Sequence, residues 1–188
     1  LCPNEGDLGN GIDQNGCPKP LEKDSCNEDT WQSFAPNLQN CSLANAYLLD
    51  ANLSGDTGMI LTDANLSGAY LWGANLRSTN LGGANLSRAT LVEANLSSAI
   101  LLDADLTRAY LLDADLTGAN LSGSDLRNAT LSRAILSSGT LTGANLIDAN
   151  LNQAKLIDAN LIDADLRNTN LKGTDLSGSE LIDAKLSG

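Results

Sequence analysis

The 188-residue sequence contains no histidine, one methionine, one phenylalanine, two tryptophans and three tyrosines. Without histidine it lacks both the commonest base near neutral pH and the commonest metal-binding side chain. Aromatics make up 3% of the chain but hydrophobic residues 42%, so a core must be built from leucine and alanine. Cations are also scarce: 11 Lys and Arg face 23 Asp and Glu, for a formal charge of −12. Such a chain repels nucleic acid and anionic membranes. No apolar run approaches the roughly 18 residues of a membrane-spanning helix. The four cysteines, Cys2, Cys17, Cys26 and Cys41, all precede residue 42. An even set confined to one segment predicts two disulfides and an oxidising compartment. A zinc site competes, but the set has neither a close Cys-x-x-Cys pair nor a histidine to complete it. The opening Leu1-Cys2, without Met, predicts a processed or excised chain from which any export signal has already gone.

What fills the chain is a period of five. From Leu61 to Leu186 every fifth residue is leucine, 26 in succession. Two places before them stand almost only small side chains, as at Ala64, Ala69, Ala74, Thr79 and Ala84, and onward to Ser179 and Ala184. The residue between is most often Asn or Asp. An earlier block, Leu38, Leu43, Leu48 and Leu53, carries Cys41, Ala46 and Ala51 at the small position. The eight residues from Leu53 to Leu61 imply a three-residue insertion within 54–60. Neither a helix nor a flat strand uses a five-residue period. A chain that turns about 90° every five residues does, and four such sides close a coil of 20. Leucine and the small residue then point inward. A single coil cannot offset its own ordering entropy, so coils must stack, about 4.8 Å apart. Thirty repeats predict about seven and a half coils and a rod roughly 35 Å long at that spacing.

The pattern Ala-(Asn/Asp)-Leu-x-x resembles the pentapeptide-repeat family, and Ala64-Asn65-Leu66-Ser67-Gly68 is a near-consensus copy. The resemblance covers 36–188 and implies an all-β fold, a right-handed quadrilateral parallel β-helix (solenoid). Residues 1–35 are expected to form a separate N-terminal cap. Within it, "SCNEDTWQSF" (25–34) carries a capping box, Ser25 with Glu28, followed by Trp31 and Phe34. This reads as a short helix or turn laid over the first leucine layer. A Cys26–Cys41 bond would tie that lid down, a free buried Cys41 being the alternative. "CPNEGDLGNGIDQNGCPKP" (2–20), with Asp13 to Pro18, resembles thrombospondin-type-3-like linkers. That resemblance implies a Cys2–Cys17 disulfide and a place outside the cytoplasm. Only Asp7, Asn10, Asp13 and Asn15 offer calcium ligands there, at irregular spacing, and a Gly/Asn-rich loop is the simpler reading. The pattern runs to Leu186 without a lid, so the C-terminal end is expected to continue into missing residues or to pack on a second copy, end to end.

Catalysis needs a base, a nucleophile or a metal in a concave place. Asp103, Asp163 and Asp183 fall on one column with Glu180 close by, and Glu93 and Asp113 fall on another. They occupy convex turn positions that favour Asp for local hydrogen bonding. No enzyme activity, cofactor or metal is expected. The Asn-Leu-Ser triplets at Asn52, Asn65, Asn85, Asn95 and Asn120 match the glycosylation acceptor pattern, but the repeat itself generates them. One side stands out. It carries Tyr47 and Leu49, Tyr70 and Trp72, Thr90 and Val92, and Tyr110 and Leu112. Farther along it turns polar at Thr130, Ser132, Asn150, Asn152, Asn170 and Lys172. This apolar stripe is a candidate partner-binding surface. The N-terminal segment folding back over it, or an aromatic ladder that merely stabilises the rod, are the competing accounts. Arg88, Arg108, Arg127 and Arg167 lie on the preceding side and read as charge balance.

The function expected is a non-catalytic, exported rod, in periplasm, thylakoid lumen or extracellular space. It would present the stripe to an unknown protein partner or space other domains, without binding nucleic acid or inserting in membranes. The alternative comes from the family resemblance: some members are acidic rods that resemble duplex DNA and bind or protect type II topoisomerases. The charge suits that role, whereas the cysteines and the aromatic stripe do not. An ice-, carbohydrate- or mineral-facing surface would need denser threonine ladders than Thr90 and Thr130 provide.

Overall fold

The computed structural model describes Gln32, residues 37–57 and residues 59–187. Cys2, Cys17, Cys26, Ser25, Glu28, Trp31, Phe34 and the calcium candidates Asp7, Asn10, Asp13 and Asn15 lie outside the described residues.

The five amides of a repeat can each be followed to an acceptor, and together they explain the coil. In the repeat 64–68, Ala64 N–H closes a turn onto the Leu61 carbonyl at 3.1 Å. Asn65 N–H reaches back one coil to Cys41 O at 2.8 Å, while Leu66 N–H and Gly68 N–H reach forward to Asn85 O and Ser87 O at 2.7 and 2.8 Å. The fifth amide, Ser67 N–H, donates to the side chain of Asn65 at 3.1 Å. Asn or Asp therefore precedes leucine because its oxygen accepts the one amide the ladder leaves over, as in an Asx turn. The last residue of each turn has φ near +60°, as at Asp103 (54°), Arg108 (58°) and Gly118 (66°). Asp, Asn, Ser and Gly recur there because they tolerate the left-handed region best.

The bridges run in parallel register, residue to residue 20 farther on, along four columns. The first side carries 37, 60, 80 and onward to 180; the second, 42, 65, 85 and onward to 185. The third carries 47, 70, 90 and onward to 170; the fourth, 52, 75, 95 and onward to 175. Each side holds a single bridging residue rather than an extended strand, since two of the five residues form the turn. The leucines of the five-residue period from Leu38 to Leu166 and nearly all the small residues before them are buried in one continuous core. Leu171, Leu176 and Leu181 are partly exposed and Leu186 is exposed, where no described coil lies beyond them.

Between the first coil and the second the register is 23, as in Asn37↔Ile60 and Tyr47↔Tyr70. The three extra residues form a 3₁₀ turn, Gly55–Thr57, at the corner after the fourth side. The insertion removes the turn amide that would have bonded to Leu53 O. Thr79, fully buried at a position where the repeat otherwise prefers Ala, donates its hydroxyl to that carbonyl instead. The sequence exception at Thr79 thus answers the exception at 54–60. Thr79→Val, nearly isosteric, leaves Leu53 O unpaired and is expected to cost about 1–2 kcal/mol. Urea unfolding checks this against Thr130→Val on the surface, expected within about 0.5 kcal/mol of wild type.

Candidate functional site

The third side is built as its spacing predicts. Tyr47, Tyr70, Thr90, Tyr110, Thr130, Asn150 and Asn170 bridge in one column. Tyr47 is 67% exposed, Leu49 56%, Trp72 47% and Tyr110 54%, which is high for large apolar side chains. Tyr70 is also exposed, while Val92 and Leu112 are half-buried between neighbouring coils. The Tyr47 and Tyr70 rings stack, centroids 4.6 Å apart and planes 7° from parallel. At the coil spacing the stripe runs ~14 Å from Tyr47 to Tyr110.

The hydrogen-bond economy of the repeat separates this side from its neighbour. On the second side Asn65, Asn85, Asp105, Asp125, Asn145 and Asp165 all accept the spare amide two residues on. On the third side none of 47, 70, 90, 110 or 130 is Asn or Asp, so no such cap forms there. Capping resumes at Asn150 and Asn170. Tyr47, Tyr70, Thr90 and Tyr110 therefore occupy positions at which the fold itself would gain from Asn or Asp. An apolar set that sequence reasoning passed over, Ile60, Ile100 and Leu102, is exposed on the opposite, first side. Only its bridging positions could have signalled it, since isoleucine at Ile60 and Ile100 likewise replaces the amide-capping residue.

The acidic columns do not converge. Asp103 and Asp163 are separated by the coils of Gly123 and Gly143. Asp163 and Asp183 do sit on adjacent coils, joined by Asp163 N–H to Ile182 O at 2.9 Å. Glu93 and Asp113 are adjacent too, but the Arg133 guanidinium, 2.7 Å away through Nε, engages Asp113. That hydrogen bond holds the Asp113 carboxyl below the usual carboxylate range. Asp165 is held low in the same way by the hydrogen bond from Arg167. Desolvation pushes Asp125 up, but hydrogen bonds from Arg127 outweigh it and the net direction is down. Such groups remain anionic near neutral pH and are poor proton carriers. Among the described residues no group of three potential metal ligands comes together.

The basic residues separate into two columns rather than one ladder. Arg127 and Arg167 stand directly after leucine and pair with Asp125 and Asp165 at 2.6 and 2.7 Å. Arg88 and Arg108 stand one place later, in the left-handed turn. Cys41 is buried and disulfide-bonded, and its partner lies outside the described residues.

These features of coil, register and turn meet known proteins at one point. A family model described as "Pentapeptide repeats" matches in eight copies, over residues 60–97, 89–128, 114–153, 124–161 and 154–188. No curated protein matches the sequence significantly. Among solved structures the chain is similar to QnrB1, a plasmid-mediated fluoroquinolone resistance protein, with 19% identity and a TM-score of 0.52. That alignment covers 80% of this chain and 78% of QnrB1, and it shows the fold alone. HetL, involved in heterocyst differentiation regulation in the cyanobacterium Nostoc sp. strain PCC 7120, is 37% identical over 79% of this chain and 73% of its own, with a TM-score of 0.36. A pentapeptide repeat protein of the Arabidopsis thaliana thylakoid lumen is 34% identical over 55% of this chain and 66% of its own, with a TM-score of 0.30. The chain belongs to the pentapeptide repeat family, whose members wind as right-handed quadrilateral β-helices.

Proposed function

We propose that the chain is a non-catalytic rod that docks a protein partner along the N-terminal half of its third side. The observation that carries this reading is the stripe Tyr47, Leu49, Tyr70, Trp72, Val92, Tyr110 and Leu112, exposed or half-exposed over four stacked coils. The third side there lacks the amide cap that the second side keeps from Asn65 to Asp165. Aromatic residues in a flat apolar patch are typical interface anchors. The disulfide at Cys41 supports an exported compartment.

The test uses the cap itself. Tyr110→Asn restores an oxygen that can accept Leu112 N–H, and is expected to leave the melting temperature unchanged or raise it, by up to about 1 kcal/mol of stability. The same variant is expected to abolish photo-cross-linking from a benzophenone side chain placed at Trp72. A control benzophenone at Asn152, farther along the same side, should give no adduct. Equal adducts at both positions, or an adduct that survives Tyr110→Asn, would refute the reading. A second reading, an acidic rod acting on a type II topoisomerase, is favoured only by the charge of −12. It is tested by whether the protein alters DNA supercoiling by the purified enzyme.

A further inference from the structure

The geometry points to an oxyanion site on the corner between the second and third sides, built around Arg88 and Arg108. A depression of about 410 Å³ lies there, lined by Ser87, Arg88, Thr107, Arg108, Arg127 and Asn128. The chain has six arginines. Four of them, Arg77, Arg127, Arg133 and Arg167, are ion-paired to Asp56, Asp125, Asp113 and Asp165. Arg88 and Arg108 make no ion pair among the described residues, and both lie in the wall of the depression.

Their placement is unusual in three ways. First, they are stacked on successive coils: Arg88 N–H bonds to Thr107 O at 2.9 Å, and Arg108 N–H to Arg127 O at 3.0 Å. Like charges are thus held one coil spacing apart. Second, their column reads Asn45, Gly68, Arg88, Arg108, Asn128, so no carboxylate stands directly before or after them. The third arginine in a left-handed turn, Arg133, shows the alternative: it stacks on Asp113 and neutralises it. Third, both have φ near +60° (59° and 58°), a conformation that favours Gly, Asn or Asp over Arg. The nearest carboxylates on the bridging column are already engaged. Asp125 is paired with Arg127, and Asp105 accepts Thr107 N–H at 2.9 Å.

Two guanidinium forks from successive coils, with Thr107 also lining the depression, suit a carboxylate, phosphate or sulfate group with oxygens for both. The assignment is independent of the aromatic stripe.

The experiment follows the Nε–Hε resonances of the six arginines in ¹⁵N-labelled protein. Phosphate, sulfate and citrate are titrated at constant ionic strength, and then poly-L-glutamate and inositol hexakisphosphate. Saturable shifts at Arg88 and Arg108, absent at Arg77 and Arg133, are expected. Arg88→Gln and Arg108→Gln should each weaken the titration roughly tenfold, the loss of one hydrogen bond to a charged group. Preference for poly-L-glutamate would assign the site to acidic protein segments, and preference for the phosphates to phosphorylated ligands. Uniform, non-saturating shifts of all six arginines with every anion would overturn the proposal.

Discussion

Gly55→Ala is expected to detach the first coil from the rest of the rod. A Cβ built on Gly55 would lie 2.0 Å from Ser78 O, 2.4 Å from Ser78 C and 2.8 Å from Thr79 N. All three are backbone atoms of the next coil, and Ser78 N–H is itself bonded to Ser97 O at 2.9 Å. That backbone has nowhere to go, so the insertion must move outward. In doing so it breaks Gly55 N–H to Arg77 O, 2.8 Å, and the Asp56–Arg77 pair at 3.1 Å. Coils of a solenoid touch only their neighbours, so the damage stays local. A loss of about 2–4 kcal/mol in the coupling of the first coil is expected, in the upper range for point substitutions. Hydrogen exchange reads it residue by residue. The amides of Leu43, Leu48 and Leu53 should lose protection while those from Leu91 to Leu156 keep theirs. Unchanged protection at Leu48 and Leu53 would mean that the insertion closes on the rod without needing the missing side chain.

Leu111→Ala should cost about 2–5 kcal/mol, the usual range for truncating a fully buried leucine where neighbours cannot collapse into the space. Leu111 is fully buried, with coils on both sides of it. The same change at Leu181, half-exposed in the last described coil, removes only part of that burial and should cost about half as much or less. Urea denaturation of the two variants compares them directly. Equal losses would contradict a core whose stability comes from stacking on both faces of each leucine layer.

Much of the architecture is legible without coordinates because the repeat is one-dimensional. Once leucine every five residues is read as an inward position, columns follow from adding 20. Tyr47, Tyr70, Thr90 and Tyr110 then fall together as soon as the three extra residues after Leu53 are assigned to a corner. Other features depend on how adjacent coils meet. That Thr79 serves the carbonyl of Leu53 requires knowing which turn amide the insertion removes. That Gly55 cannot carry a side chain requires the position of Ser78. The arginines look alike in sequence, yet Arg127 folds back onto Asp125, two residues away, while Arg133 reaches Asp113, twenty away. Arg88 and Arg108 reach no acid among the described residues. Such choices lie in side-chain torsions and in the offset between turn positions, which the period does not specify.

By itself, then, the sequence determined the inward leucines, the four-sided coil and the side on which the aromatics gather, since each follows from a period and a count. Only the tertiary structure decided which amides lack a cap, which cations lack an anion and which glycine must remain one. Those are matters of distance between neighbouring coils, and residues far apart in the chain acquire a distance only when it has folded.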